Sequence, residues 1–220
     1  MSRIECADPE IKSWIQEGLS KAHYLLGDGT HSEEFPSLEG ILLDDKRLKY
    51  FANDLWAKAA KTLPPPDQRA ISLLATIGSP GFALTRRLAQ NVSGELERGR
   101  REITHRIRLA GAHWESPRHL EIDPAVGLNK SDGVLLCDDM IWSGHSMRQL
   151  YNTISMSGAR VIGVVVMITR EGAMQDLGIP KGIPIFCSAQ ITSVSHLPST
   201  CPDIASLKPV PRVFGKLRIL

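Results

Sequence analysis

One stretch of this chain concentrates residues able to do chemistry: Val134-Leu135-Leu136-Cys137-Asp138-Asp139-Met140-Ile141-Trp142-Ser143-Gly144-His145-Ser146-Met147. An apolar run delivers two adjacent carboxylates, and a short loop of small and hydroxyl residues follows. In a parallel α/β sheet the carboxyl ends of the strands are where ligands bind. Backbone N–H groups opening a helix, with the Ser143 and Ser146 hydroxyls, form a site for an anion such as a phosphate. Two carboxylates beside that cradle suit the vicinal hydroxyls of a ribose, and they can also hold a hydrated Mg²⁺. One Asp at a strand end could simply cap the next helix. Two, followed by Ser-Gly-His-Ser, favour binding.

The elements that must position this stretch follow from periodicity. Asp8-Pro9 starts a helix, Asp as N-cap and Pro at the first helical position, with Ile11, Trp14, Ile15 and Leu19 on one face. Residues 22–44 are broken into short strands and turns by Gly27, Gly29, Pro36 and Gly40. The spacing of Leu48, Phe51, Ala52, Leu55, Trp56 and Ala59 predicts a helix from Asp45 to Thr62. Pro64-Pro65-Pro66 should end it as a stiff extended segment.

Beyond Ala70 the texture changes. Ile71–Ile77 is a short apolar run, followed by Gly78-Ser79-Pro80-Gly81 and a small helix through Leu88. Arg101–Arg108 and His119–Ile122 are expected as strands around a loop containing Gly111. Val134–Cys137, Val161–Ile168 and Ile183–Cys187 are expected as buried strands, and a helix carrying Met147, Leu150, Tyr151 and Ile154 ends near Gly158. Apolar strands alternating with amphipathic helices indicate a parallel sheet covered on both faces. The tail from Lys208 to Leu220 reads as a basic terminal arm.

Composition sets the outer bounds. The 220 residues carry 26 Lys and Arg against 24 Asp and Glu, a formal charge of +2, and 42% are hydrophobic. That fits one globular domain with a sizeable core and argues against a dedicated nucleic-acid binder. The four cysteines, at 6, 137, 187 and 201, show neither CxxC pairing nor zinc spacing, so a reduced, cytoplasmic setting is expected. The N-terminus lacks the apolar stretch of a signal peptide, and the longest apolar run, Val161–Ile168, is too short to span a bilayer.

The acidic segment resembles the ribose-phosphate motif of the type I phosphoribosyltransferases: apolar strand, acidic pair, two residues, then a Thr/Ser-Gly-x-Thr/Ser loop. The resemblance implies that Asp138 and Asp139 bind the ribose hydroxyls of phosphoribosyl pyrophosphate and that residues 142–146, with Ser143, Gly144, His145 and Ser146, bind its 5′-phosphate. Trp142 departs from the pattern, standing where the family usually has Thr; packing on the sheet is the expected use of its ring. Other segments bring the chain nearest to the orotate phosphoribosyltransferases. Gly29-Thr30-His31-Ser32 looks like that family's Ser-Gly-x-His-Ser segment. Gly78, Ser79, Pro80 and Gly81 sit where the family has its pyrophosphate loop, and small residues there admit close backbone approach. A Ser79-Pro80 cis bond would cost little. By the same resemblance Arg170, after the strand 161–168, contacts the base through its planar donor fork. An exposed Arg ending a strand is the other reading.

Two departures mark this chain. The orotate enzymes carry Arg-Lys-x-x-Lys on the strand leading into a mobile catalytic loop. Here that region reads Ile103-Thr104-His105-Arg106-Ile107-Arg108-Leu109-Ala110-Gly111, with no lysine. Arg106 and Arg108, on one face of a strand, could bind pyrophosphate or form a solvated basic strand. His113 and His119 fall in the expected loop near 109–117, where surface positions are the simpler reading. The family also keeps a lysine near the base, and residues 34–39 have none.

The expected architecture is therefore the type I phosphoribosyltransferase fold: a central parallel sheet flanked by helices, with a small hood from residues 1–65 and a core with C-terminal arm from 66–220. The resemblance implies a transferase of pyrimidine nucleotide biosynthesis, a homodimer using Mg²⁺, with Asp138, Asp139 and Arg106 at the reacting centre. Its partners would be phosphoribosyl pyrophosphate and a nitrogenous base, not nucleic acid or membrane. The alternative is a non-catalytic sensor of phosphoribosyl pyrophosphate or a nucleotide on the same fold. The net charge conceals two opposed regions: residues 98–108 hold five arginines against one glutamate, and residues 121–139 hold five acids against one lysine.

Overall fold

The structure, a computed structural model, describes residues 3–25, 31–98, 107–116, 119–175, 177–192, 195–196 and 208–209. The chain begins with strand β1 (Arg3–Glu5), helix α1 (Pro9–Gly18), strands β2 (Leu19–Leu25) and β3 (His31–Pro36), and helices α2 (Glu39–Leu42), α3 (Asp45–Thr62) and α4 (Pro65–Ala70). Strand β4 (Ile71–Ile77) then leads into the long helix α5 (Gly78–Arg98), and β5 (Arg108–Ser116) and β6 (His119–Ile122) follow. Next come β7 (Gly133–Ile141), α6 (His145–Met156), β8 (Arg160–Arg170), β9 (Ile185–Thr192), β10 (Ser195–His196) and β11 (Lys208–Pro209).

Local chemistry explains the helices that the sequence located. Asp8 caps α1 by accepting from Glu10 N–H at 2.9 Å and Ile11 N–H at 3.1 Å. Asp44 repeats the device on α3, accepting from Lys46 and Arg47 N–H. Each satisfies donors that have no partner inside the helix. The buried face of α3 consists of Leu48, Phe51, Ala52, Leu55, Trp56 and Ala59, the residues its spacing selected.

Among the described residues the strands form two sheets. The larger has the order β1-β9-β8-β7-β4-β5-β6, parallel from β9 to β5, with β1 and β6 antiparallel at its edges. The smaller has the order β10-β3-β2-β11. One apolar cluster covers the face on which Phe51, Leu55, Leu84, Leu88, Leu135 and Val165 meet; another joins Leu73, Leu136, Leu150, Ile154 and Val164 on the opposite face. Helices thus cover both faces, α6 packing on β4, β6, β7 and β8 while α3 and α5 pack together and against the sheet. Each fully buried aliphatic side chain adds about 1.5–3 kcal/mol of transfer free energy.

Several expectations change, and one open choice is settled. Pro65 and Pro66 do not extend the chain but open α4, because proline in a first helical turn forfeits no hydrogen bond. Helix α5 starts at Gly78 itself and continues past Leu88 to Arg98, absorbing the loop expected at 78–81. The Ser79–Pro80 bond is trans. Strand β5 occupies 108–116, so Gly111 lies within a strand and not in a loop, and only residues 117–118 connect it to β6. The buried alternation Ala110, Ala112 marks its core face. Residues 101–106, including Arg106, lie outside the described residues, as do Gly29, Thr30 and most of the basic tail.

Candidate functional site

The sheet register brings the acidic pair and the start of α5 together at the carboxyl end of the strands. Thr76 of β4 pairs with Cys137 of β7, which sets Asp138 level with Ile77 and just below Gly78. Asp138 and Asp139 are buried, 2% and 3% exposed, and β7 continues through them to Ile141. Adjacent strand residues point to opposite faces, so the two carboxylates serve different faces of the sheet. Asp138 Oδ1 accepts from Asp139 N–H at 3.0 Å.

The first turn of α5 lies directly against Asp138. A Cβ at Gly81 would stand 2.1 Å from Thr76 Oγ1 and 2.8 Å from Asp138 Oδ1, so only glycine permits this approach. Thr85 Oγ1 donates to Gly81 O at 2.7 Å and fixes the turn. Thr76 Oγ1 is buried without a hydrogen-bond partner among the described residues. A cleft of about 720 Å³ opens beside this turn, lined in part by Gly78, Ser79, Phe82, His113 and Glu121.

The loop after β7 is held from several sides. Gly144 is the N-cap of α6 at φ 78°, a left-handed conformation that an L side chain rarely adopts, and a Cβ there would lie 2.8 Å from Leu177 Cδ2. Unlike α1 and α3, α6 has no capping side chain at its N-cap position. Ser143 Oγ accepts weakly from His145 N–H at 3.5 Å. Trp142 is 8% exposed and packs its ring at 5.8 Å from Phe35 of β3, while its Nε1 has no hydrogen-bond partner among the described residues. The packing expected of Trp142 is therefore made, against the smaller sheet.

Arg170 ends β8, and its Nε donates to Trp142 O at 2.9 Å, so this side chain braces the loop. Arg108 is not brought to that end. It pairs with Leu73 near the start of β4, four residues before the Ile77–Ala112 level, about 13 Å away at strand rise. Its guanidinium pairs with Asp132 and donates to Val126 O at 2.6 Å and Gly127 O at 3.2 Å. The basic and acidic regions seen in the sequence thus partly neutralise each other. His113 and His119 are 64% exposed and lie near Glu121 and Glu115 respectively.

The residue that periodicity did not place is Trp114. In β5 it pairs with Leu120 of β6, and its ring stacks on His145 at 5.6 Å with planes 10° apart. The signal was the Ala-x-Ala alternation of 110–112; Gly111 obscured it. Among the described residues no group of three or more His, Cys, Asp or Glu forms a metal cage, and no helix is long and apolar enough to cross a membrane.

No protein-family model matches the chain. Over 194 residues it is 24% identical to the orotate phosphoribosyltransferase of Sphingopyxis alaskensis, covering 88% of this chain and 90% of that one. It is 25% identical to the orotate phosphoribosyltransferase of Maricaulis maris over 87% of this chain and 89% of the relative. Among solved structures, the orotate phosphoribosyltransferase of Aeropyrum pernix superposes with a TM-score of 0.57 at 16% identity, covering 82% of this chain and 91% of that one. The adenine phosphoribosyltransferase of Rhodothermus marinus does so with a TM-score of 0.58 at 15% identity, over 83% and 99%. The sheet order, the acidic pair near the carboxyl end of its central strand and these likenesses converge: the chain has the fold of the type I phosphoribosyltransferases.

Proposed function

We propose that the chain moves the phosphoribosyl group of phosphoribosyl pyrophosphate to a nitrogenous base, an orotate-like pyrimidine, and releases pyrophosphate. The observation that carries this reading is the buried Asp138–Asp139 pair, set between the first turn of α5 and the glycine-capped start of α6. Two helix N-termini and two carboxylates at one end of the sheet match a ribose bearing phosphate at both ends. The relatives named above support the orotate-like assignment.

In this reading Asp138 and Asp139 hold the ribose hydroxyls, residues Ser143–Ser146 receive the 5′-phosphate and Gly78–Gly81 the pyrophosphate. Positive charge develops at the anomeric carbon as pyrophosphate departs, and the buried carboxylates favour it. Arg106 is the remaining basic candidate for the leaving group, since Arg108 is committed to Asp132. Arg170, which also donates to Trp142 O, orients the base. The hard carboxylate oxygens fit Mg²⁺, which keeps most of its waters and is carried by substrate phosphates. When bound, the ion neutralises charge on the leaving pyrophosphate. The same reading makes the protein a cytoplasmic homodimer.

A second reading, binding without turnover, is favoured by one observation: strand β5 runs through residues 108–116, where a mobile catalytic loop was expected. One assay decides between them. Pyrophosphate release is measured from phosphoribosyl pyrophosphate and Mg²⁺ with a panel of pyrimidine and purine bases. Turnover with orotate is expected, and Asp138→Asn with Asp139→Asn should reduce it by about 10²-fold or more without unfolding the chain. Binding of phosphoribosyl pyrophosphate with no turnover on any base establishes the second reading.

A further inference from the structure

The β5–β6 hairpin reaches beyond the end of the neighbouring strand. Ile77, the last residue of β4, pairs with Ala112, so His113–Ser116 project about 13 Å past that level. Trp114 lies on this projection, and its ring stacks, parallel and offset, with that of His145, the first residue of α6. His145 therefore has a defined ring environment.

From this stack we infer that Trp114 and His145 are positioning residues for the 5′-phosphate cradle: the ring pair clasps the projecting end of β5 to the first turn of α6. This rests on the phosphoribosyl reading and adds to it the means by which the cradle keeps its shape. Three of the five residues 142–146 are held from other elements. Arg170 Nε grips Trp142 O, the Trp142 ring packs on Phe35, Leu177 wedges against Gly144, and Trp114 stacks on His145. Ser143 and Ser146 have no such brace among these contacts. Backbone donors held in their binding arrangement cost no reorganisation when the phosphate arrives. An aromatic wall also excludes water from one side of the cradle and strengthens each charge-assisted hydrogen bond inside it. Offset-stacked aromatic pairs have the geometry and the energy to act as such a clasp.

The test compares wild type, Trp114→Leu, Trp114→Phe and His145→Leu in the full chain, with two probes titrated calorimetrically. Ribose 5-phosphate reports the cradle, and inorganic pyrophosphate with Mg²⁺ reports the α5 turn. Trp114→Leu should weaken ribose 5-phosphate about tenfold and change pyrophosphate less than about twofold, and Trp114→Phe should recover most of the loss. Indole emission provides a second readout: removing the imidazole in His145→Leu should alter the Trp114 contribution, obtained as the difference from Trp114→Phe. If Trp114→Leu does not fold, His145→Leu carries the same affinity test from the other ring. Unchanged ribose 5-phosphate affinity in a folded variant overturns the clasp and leaves the phosphoribosyl reading standing. Equal loss of both probes overturns it in favour of a general structural role. Absence of ribose 5-phosphate binding by wild type overturns both.

Discussion

At position 81 a methyl group would sit 2.1 Å from Thr76 Oγ1 and 2.8 Å from Asp138 Oδ1, closer than heavy atoms approach without displacement. Neither neighbour is the free end of a flexible chain: Thr76 is fully buried, and Asp138 is 2% exposed. Gly81→Ala is therefore expected to destabilise the protein by about 1–3 kcal/mol, as overpacking does, and to abolish phosphoribosyl pyrophosphate binding by moving the carboxylate. Urea denaturation and ligand titration read the two effects; a variant with wild-type affinity would show that the approach is not needed. The acidic pair was legible because two charges ending an apolar run have few structural uses. Gly81 was legible only as a small residue, since its neighbours come from β4 and β7. Cys137, in the strand expected at 134–137, is fully buried, and burial pushes its pKa up to about 12.

Elements were legible where their pattern is carried by their own side chains. Helix α3 runs from Asp45 to Thr62, as its spacing predicts, because cap and apolar stripe both lie in the sequence. Strand β5 was misplaced because Gly111 suggests a turn and the arginines before it suggest a face. In the fold, Arg108 marks the start of β5 and ties it to the loop before β7. Burial by itself would raise the Asp132 carboxyl, but the Arg108 guanidinium, Asn129 N–H and Ser72 hydroxyl outweigh it and hold the carboxyl below its usual range. A depressed folded value stabilises the protein fully above the unfolded value of about 3.9, and that contribution disappears as pH falls through the folded value. Asp132→Asn should cost about 2–3 kcal/mol near neutral pH, with the difference from wild type shrinking below about pH 4. Chemical denaturation of both proteins across that range checks the sign; a gap that widens on acidification would exclude it.

At the scale of the molecule, the smaller sheet is built from distant parts of the chain: β2 and β3 from the N-terminal region, β10 and β11 from residues 195–196 and 208–209. It is joined to the large sheet through a continuous apolar cluster that includes Tyr24, Phe35, Leu38, Trp142 and Met167. Phe35 is 6% exposed and contacts both Tyr24 and Trp142. Phe35→Ala should therefore cost about 3 kcal/mol and speed amide exchange in β2 and β3 well ahead of β7 and β8. Uniform acceleration across both sheets would mean that they open as one unit. The sequence by itself determined the alternation of strands and helices, the Asp8 cap, the acidic pair and the small, hydroxyl-rich loop after it, because these depend on residues within a few positions of one another. Only the tertiary structure decided that Arg108 serves Asp132, that Arg170 braces Trp142 O, and that Trp114 stacks on His145. Those contacts join residues 24, 28 and 31 positions apart, and their geometry is set by strand register and helix packing, which no local pattern specifies.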